Sequence, residues 1–357
     1  MKQIFVLGRN PELSRAEIIA YATTYGLEPE EVLFESNYLV LALRKEIDIQ
    51  NLGGTIFSGA VLREGGEETM SDYIMDNDLF DSDKFTYGVF GDGDESILKE
   101  KFKSEKRKAV LKHGRRQINS QSGEKFEIPK ADVYFFLQEH DNGFIFGNLD
   151  KVYDYGGVKK RDMQKPERRE ELAISPRLSK ILINLSGAKR SDLMLDPFCG
   201  IGGILIEGLI MGINVYGSDK DSKAIKGAVD NLAWLKQNFN IKNHYIVERR
   251  DAKKVLNKQF DAIATETPLG KIVKHKPNRQ DAEDTIMNFE RVVMPILRQL
   301  RDVKKRDARI AITFPKIRNI GVDYEWIEEK TGLKTVVGPI FEGREKQFIG
   351  RDIVVFE

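Results

Sequence analysis

One acidic side chain and three glycines capable of binding a ligand lie in one short run of the sequence, residues 196–203. The run reads Asp-Pro-Phe-Cys-Gly-Ile-Gly-Gly, follows a short apolar segment and precedes an apolar helical pattern. In open α/β sheets, ligands bind at the carboxyl ends of the strands, where glycines let a ligand approach the backbone at a helix N-terminus. The run therefore predicts a ligand-binding turn between a strand and a helix.

Two further acids follow the next two predicted strands. Asp219 ends the second strand, where its carboxylate can accept hydrogen bonds from ribose hydroxyls, and Asp251 follows the third, where it can contact the edge of an adenine. Acids at three successive strand ends favour a cofactor that contains adenosine. The alternative is a tight turn that binds nothing.

The glycine spacing distinguishes between adenosine cofactors. A dinucleotide loop needs G-x-G-x-x-G, whereas this loop has Gly200-x-Gly202-Gly203 with Asp196 before it. A carboxylate facing the ligand disfavours a pyrophosphate and suits the cationic amino group of S-adenosylmethionine, which we expect ahead of NAD. The predicted cofactor contacts are Asp196, Pro197, Phe198, Cys199, Gly200, Gly202, Gly203, Asp219, Lys220, Asp251 and Ala252.

The second half of the chain has the pattern that would position these residues. Ser175 and Pro176 predict a capped helix start, and Gly187 predicts the end of that helix. Short apolar strands then alternate with helices, which is typical of a doubly wound parallel sheet. A terminal antiparallel pair is predicted to complete it. The predicted strands are residues 193–195, 213–216, 244–247, 260–264 and 310–314, and the terminal pair is 333–337 and 349–356.

The first half of the chain has a different pattern. A strand at residues 3–7, a helix that begins at Pro11 and a strand at 38–43 are followed by strands at 133–137 and 143–146. This order predicts an α+β region.

Length and charge restrict the class of protein. A chain of 357 residues corresponds to about two domains, and 41% hydrophobic with 32% charged residues allows a buried core. The net charge of +1 hides an asymmetry: residues 1–98 carry 7 basic and 19 acidic side chains, whereas residues 99–130 carry 11 and 4. Separated basic patches indicate a polyanion partner, although ordinary solvated faces are the alternative.

The single cysteine, Cys199, excludes an intrachain disulfide framework and a cysteine-rich zinc site. The histidines have no metal-ligand spacing, so we expect no metal. Neither a signal peptide nor a transmembrane helix is predicted, and we expect a cytoplasmic protein without membrane contact.

The loop and its surroundings resemble a known family. Residues 196–207 resemble the D-P-F-C-G-x-G-[GT]-x-L-I-E signature of RNA methylases that modify exocyclic base amines. The likeness extends to residues 6–14, 161–166, 175–178 and 184–187. Together these segments are similar to the archaeal-type tRNA guanosine N2-methyltransferases that act at position 10.

The resemblance implies an organisation and an RNA partner. It implies a ferredoxin-like part (1–60), a THUMP-like RNA-binding domain (61–155), a basic linker (156–175) and a class I, Rossmann-like methyltransferase domain (176–357). The implied substrate is tRNA. The residues expected to contact RNA are Arg107, Lys112, Arg115, Arg116, Arg161, Lys165 and Lys274.

The segment after the fourth strand departs from the family pattern. The family uses D-P-P-Y, in which the acid and a proline-fixed carbonyl accept hydrogen bonds from the amine and the tyrosine stacks on the base. Here the segment reads Glu266-Thr267-Pro268-Leu269. The resemblance implies that these four residues are the catalytic segment, with Glu266 as the amine acceptor. Phe198 and Phe314, both predicted at strand ends, are candidate replacements for the missing aromatic.

Three functions remain open from the sequence. The chain is an active tRNA guanine N2-methyltransferase, or it methylates a different amine, or it binds RNA and S-adenosylmethionine with weak catalysis as part of a complex. A small activator protein and a homo-oligomer also stay open.

Overall fold

The structure is a computed structural model that describes residues 1–113, 130–141, 143–168, 174–254, 257–268, 277–343 and 348–357. The chain divides into two compact units. The first contains residues 1–11, 27–50 and 55–153, and the second contains residues 12–26, 51–54 and 154–357. The predicted domain boundaries at residues 60, 155 and 175 stay predictions.

The first unit is built on one sheet. Among the described residues up to 153, the strands and α-helices are β1 (Lys2–Leu7), α1 (Pro11–Thr24), β2 (Glu30–Glu35), β3 (Tyr38–Ala42), β4 (Thr55–Gly65), α2 (Glu67–Asp76), β5 (Lys84–Phe90), α3 (Ser96–Ser104), β6 (Lys108–Leu111), β7 (Val133–His140) and β8 (Gly143–Val152). Nearly all of α1 belongs to the second unit. The sheet order is β2-β3-β1-β4-β8-β7-β5-β6. Neighbouring strands are antiparallel except where β5 pairs with β6 and β7.

Aromatic residues fill the core of this unit. Phe85, Tyr87 and Phe135 from the sheet pack with Phe102 of α3 and with Met70 of α2. The apolar residues of both helices therefore face the sheet, and burial of these large rings is the main favourable term in their packing.

The second unit contains the predicted alternation of strands and helices. Its described elements after residue 153 are α4 (Tyr155–Gln164), α5 (Pro176–Leu185), β9 (Leu193–Asp196), α6 (Gly203–Ile210), β10 (Asn214–Asp219), α7 (Ser222–Asn238), β11 (Tyr245–Arg249), β12 (Ala262–Glu266), α8 (Arg279–Val303), β13 (Ile310–Ile317), α9 (Tyr324–Thr331), β14 (Thr335–Glu342) and β15 (Ile349–Phe356). The sheet order is β11-β10-β9-β12-β13-β15-β14.

The strand directions follow the prediction. β9 to β13 pair in parallel, and β15 is antiparallel to both β13 and β14. One face of the sheet is covered by α5, α6 and α7, and the other by α8 and α9. Leu13 and Ala20 of α1 pack into the first of these two cores. The strand order reverses between β9 and β12, and in open α/β sheets ligands bind at the carboxyl ends of the strands at such a reversal.

Local signals explain where the elements begin and end. The Ser175 side chain accepts a hydrogen bond from the backbone N–H of Leu178, and Pro176 is the first residue of α5. Gly187 has φ +72° just after that helix, a conformation that glycine adopts without strain. The predicted helix and its cap are confirmed.

Candidate active site

Three of the predicted acids lie at the carboxyl ends of neighbouring strands. Asp196 ends β9, Asp219 ends β10 and Glu266 ends β12. Asp219 and Glu266 both act electrostatically on Asp196. The fold thus brings together the cofactor acids and the catalytic acid that were predicted from separate parts of the sequence.

The glycine loop between β9 and α6 has the backbone that the sequence predicts. Gly200 has φ +53° and Gly202 has φ +86°, which L side chains rarely adopt. A Cβ built on Gly200 meets no atom within 4 Å, so the loop faces open space there. The loop is fixed by a 3.0 Å hydrogen bond from the Gly200 N–H to Oδ2 of Asp219.

Asp196 is the most deeply buried of the three acids. Its side chain is 1% exposed, and its Oδ1 accepts hydrogen bonds from Thr265 Oγ1 at 2.6 Å and from the Phe198 N–H at 3.1 Å. Burial raises the pKa of Asp196 to about 7, and the charges of Asp219 and Glu266 act in the same direction. The carboxyl group is therefore poised to ionise when a cation comes near it.

The other cofactor residues are more accessible. Asp219 accepts one backbone N–H on each oxygen, from Gly200 and Asp221, which leaves acceptor capacity for ribose hydroxyls. Lys220 and Asp251 are exposed, and Ala252 is half-buried against the neighbouring core. Asp251 also accepts a hydrogen bond from the Lys253 N–H at 3.0 Å.

Cys199 lies in the loop but is 4% exposed. Burial, together with the charges of Asp196 and Asp219, raises the pKa of its thiol. A neutral buried thiol is a poor nucleophile, so Cys199 contributes packing to the loop.

Glu266 has a partner that the sequence did not reveal. Its Oε1 accepts a hydrogen bond from Nη1 of Arg351 on β15, and the two side chains are 15% and 17% exposed. Burial raises the pKa of Glu266, whereas the Arg351 guanidinium opposes that rise. The predicted catalytic acid therefore lies in a largely buried ion pair.

The chain after Glu266 is tied to the neighbouring strand. The Thr267 hydroxyl donates to the carbonyl of Thr313 on β13 at 2.6 Å, and the Thr267 N–H lies 3.3 Å from the Thr313 hydroxyl. These bonds hold the backbone where the family has its first proline. Pro268 is exposed, and Leu269 lies outside the described residues.

Neither proposed aromatic substitute gains clear support. Phe314 is fully buried among Phe289, Tyr324 and Phe356, so it is not accessible to a base, and this part of the prediction needs correction. Phe198 is half-buried against the same core and keeps an accessible portion.

The residues predicted to contact RNA fall into three groups: those that are paired or buried, one that is exposed, and those outside the described residues. Arg161 lies 3.5 Å from the buried Glu207, and Lys165, which is 8% exposed, lies 2.6 Å from Asp162. Arg107 is paired with Asp78 and Glu105. This pairing and burial argue against phosphate contacts by Arg161, Lys165 and Arg107.

Lys112 is exposed in the first unit, as the prediction requires. Arg115, Arg116 and Lys274 lie outside the described residues.

Comparison with known proteins assigns the family. A family model described as "RMKL-like, methyltransferase domain" matches residues 166–296. The chain is 34% identical over 160 residues to the "Probable tRNA (guanine(10)-N2)-dimethyltransferase" of Methanothermococcus thermolithotrophicus, a match that covers 43% of this chain and 86% of that relative. The chain belongs to the family of tRNA (guanine(10)-N2) methyltransferases. The resemblance stated from the motifs is confirmed.

Other members of this tRNA methyltransferase family match over a smaller part of their length. The tRNA (guanine(10)-N2)-dimethyltransferase of Methanothermobacter thermautotrophicus is 42% identical over 99 residues, which is 28% of each chain. The matches cover 28%, 36% and 45% of three of the archaeal members. The activity of the whole protein is accordingly a proposal, taken up below.

Solved structures support the fold of this family member. TrmN from Thermus thermophilus superposes with a TM-score of 0.54 at 14% identity, covering 100% of this chain and 99% of that chain. The predicted Rossmann-like methyltransferase fold is confirmed, and the THUMP-like part stays a prediction. Within the described residues, none of the helices combines the length and the apolar character that a membrane crossing requires.

Proposed function

We propose that this chain transfers a methyl group from S-adenosylmethionine to the exocyclic N2 amine of a guanosine in tRNA. The proposal rests on one observation: at the carboxyl ends of neighbouring strands lie the glycine loop, the acids Asp196 and Asp219, and Glu266, the proposed acceptor. Membership of the tRNA methyltransferase family supports the choice of substrate.

The residues at this edge fit S-adenosylmethionine. Open space above Gly200 leaves room for a ligand against the loop, Asp219 has acceptor capacity for ribose hydroxyls, and Asp196 would hold the cationic amino group. When bound, S-adenosylmethionine supplies an electrophilic methyl group on a positively charged sulfur.

The chain itself must hold the amine and accept its hydrogens. An exocyclic amine is a weak nucleophile because its lone pair is delocalised into the ring, so orientation contributes much of the rate. Glu266 would accept one N–H on its carboxylate. The backbone carbonyl of Thr267, held by Thr313 and followed by Pro268, would accept the other.

The partner is proposed to be tRNA, held by basic side chains in addition to the residues at the strand ends. Lys112, Arg115, Arg116 and Lys274 are the candidates that remain, acting on phosphates without reading sequence. A cytoplasmic location and a THUMP-like role for residues 61–155 belong to the same proposal.

Mass spectrometry tests the reaction. Unmodified tRNA is incubated with the protein and S-adenosylmethionine that carries a labelled methyl group, and its nucleosides are then analysed. We expect label in N2-methylated guanosine. Glu266→Gln should lower the single-turnover rate by about 100-fold or more, because a carboxylate that accepts the proton is lost.

Asp261→Asn is a matched control, because Asp261 is an ion-paired acid at the opposite end of β12, bonded to Lys305. It should leave the rate close to that of the unchanged protein. Binding of S-adenosylmethionine and tRNA without label in any guanosine would refute the proposal and favour the weakly catalytic binding protein.

A further inference from the structure

We propose that Arg351 is a positioning residue for the methyl transfer: its guanidinium holds one oxygen of Glu266 and leaves the other as the acceptor for the amine. This inference rests on the proposed function, because it deepens the role of Glu266 at that site. Arg351 follows Glu266 by 85 positions in the chain, and no motif links the two.

Strand register explains how the two residues meet. Glu266 on β12 lies beside Thr313 on β13, and Pro315 two positions further along β13 lies opposite Arg351 on β15. In a strand, residues two apart share a face, so these side chains lie on the same face of the sheet. The Arg351 guanidinium therefore reaches the Glu266 carboxylate across β13, near the carboxyl ends of the parallel strands.

The pair compensates for the longer side chain. Where the family pattern has aspartate, glutamate adds a methylene and a rotatable bond, and thus a carboxylate that is harder to hold in place. Arg351 binds Oε1. Among the described residues, no hydrogen bond reaches Oε2, so that oxygen is the one available to an amine.

The pair also decides the protonation state of Glu266. Within the part of the chain that the structure describes, charged groups near this pair are Asp196 from β9 and, opposite Arg351 in the register, Glu342 from β14. Burial raises the pKa of Glu266 and favours the neutral acid, which would donate a hydrogen bond to an amine rather than accept one. The positive charge of Arg351 opposes this rise in the pKa of Glu266 and favours the ionised form.

The transfer needs that ionised oxygen. The amine nitrogen forms a bond to the methyl carbon as the bond from that carbon to sulfur breaks, and the sulfur keeps the electron pair. The nitrogen then loses one proton, which Oε2 of Glu266 accepts and passes to water.

Two measurements on Arg351→Gln test the inference. The first is the single-turnover rate against pH, in which we expect the acidic limb to move to higher pH and the rate at pH 7 to fall about tenfold or more. The second is isotope-edited infrared titration of the protein alone, labelled with ¹³C-glutamate. Subtracting the spectrum of Glu266→Gln isolates the band of Glu266, and its titration should also move to higher pH.

Controls separate positioning from general damage. Arg309→Gln removes an arginine that pairs with Glu357 at the opposite strand ends of the same sheet. It should shift neither the pH dependence of the rate nor the infrared titration. In the Glu266→Gln background, Arg351→Gln should have no further effect on the rate, because the group through which it acts is absent.

Two results would overturn the inference. One is that Arg351→Gln lowers the rate equally at every pH and leaves the infrared titration unchanged. The other is that Arg351→Gln lowers the rate by the same factor in the Glu266→Gln background as in the unchanged protein. If the unchanged protein transfers no methyl group to tRNA, the proposed function fails. The infrared titration would still test whether Arg351 holds Glu266 ionised.

Discussion

We expect Asp196 to couple the binding of S-adenosylmethionine to pH. Because burial raises its pKa to about 7, part of the population is neutral at that pH, and a bound cation needs the ionised form. S-adenosylmethionine should therefore bind more tightly as pH rises from 6 to 8, with proton release at the lower end. Isothermal titration calorimetry in two buffers of different ionisation enthalpy measures both effects.

Asp196→Asn is the control for this coupling. The amide can still accept hydrogen bonds from Thr265 and Phe198 but carries no charge, so binding should weaken and lose its pH dependence. The folded protein prefers the neutral acid, and ionisation therefore costs stability as pH rises towards 7. At pH 8 the amide should raise the unfolding free energy by up to about 4 kcal/mol. Tight binding that is independent of pH in both proteins would contradict the role given to Asp196.

At the scale of elements, hydrogen bonds of the buried acid Glu17 join helix α1 to other parts of the second unit. Glu17 is fully buried, and its carboxylate accepts hydrogen bonds from the N–H groups of Gly53 and Gly54 and from the Asn184 side chain on α5, at 2.6 to 2.7 Å. All of these residues belong to the same compact unit. The acid thus joins α1, residues 51–54 and α5.

Glu17→Gln should destabilise that unit by about 3 kcal/mol, because the new amide N–H faces a backbone donor in a buried position. Unfolding in urea, followed by circular dichroism, measures the change. Glu12→Gln alters an exposed acid on the same helix and should cost less than about 0.5 kcal/mol. An equal, small cost for both variants would show that the buried hydrogen bonds contribute little.

The sequence predicted the elements of the second unit better than those of the first. Strands β9 to β13 are short apolar runs bounded by turns, and these signals place a strand well. Strand β2 begins with two glutamates, and α4 carries two glycines in a basic segment that was interpreted as a linker. Tertiary packing overrides weak local preference in both.

At the scale of the whole molecule, the uneven charge leads to a prediction about salt. If the basic stretch of the first unit contacts tRNA phosphates, Lys112→Ala should lower the slope of log affinity against log salt concentration by about 1, and Arg115→Ala with Arg116→Ala by about 2. Filter binding at several salt concentrations gives the slope. Arg107→Ala serves as the comparison, because its guanidinium is paired with Asp78 and Glu105. An unchanged slope for Lys112→Ala and for the double variant would remove this stretch from the RNA interface.

The candidate site shows where sequence reasoning ends. Asp196, Asp219 and Glu266 each end a predicted strand, so their meeting at one edge follows from the parallel order of the sheet. Arg351 could not be found in this way, because its contact with Glu266 depends on the antiparallel insertion of β15 beside β13. The burial of Arg161 and Lys165 could not be predicted either, because the sequence of a basic segment does not show whether its side chains face solvent or a buried acid.

The discontinuous second unit also affects how the protein is made. Helix α1 leaves the ribosome early, but the residues after 153 that share a core with Leu13 and Ala20 are synthesised only after the described strands of the first unit. The newly made helix therefore cannot complete the packing of Leu13 and Ala20 until those later residues have been synthesised. Because β15 supplies Arg351, the proposed pair of Glu266 and Arg351 can form only after β15 has been translated.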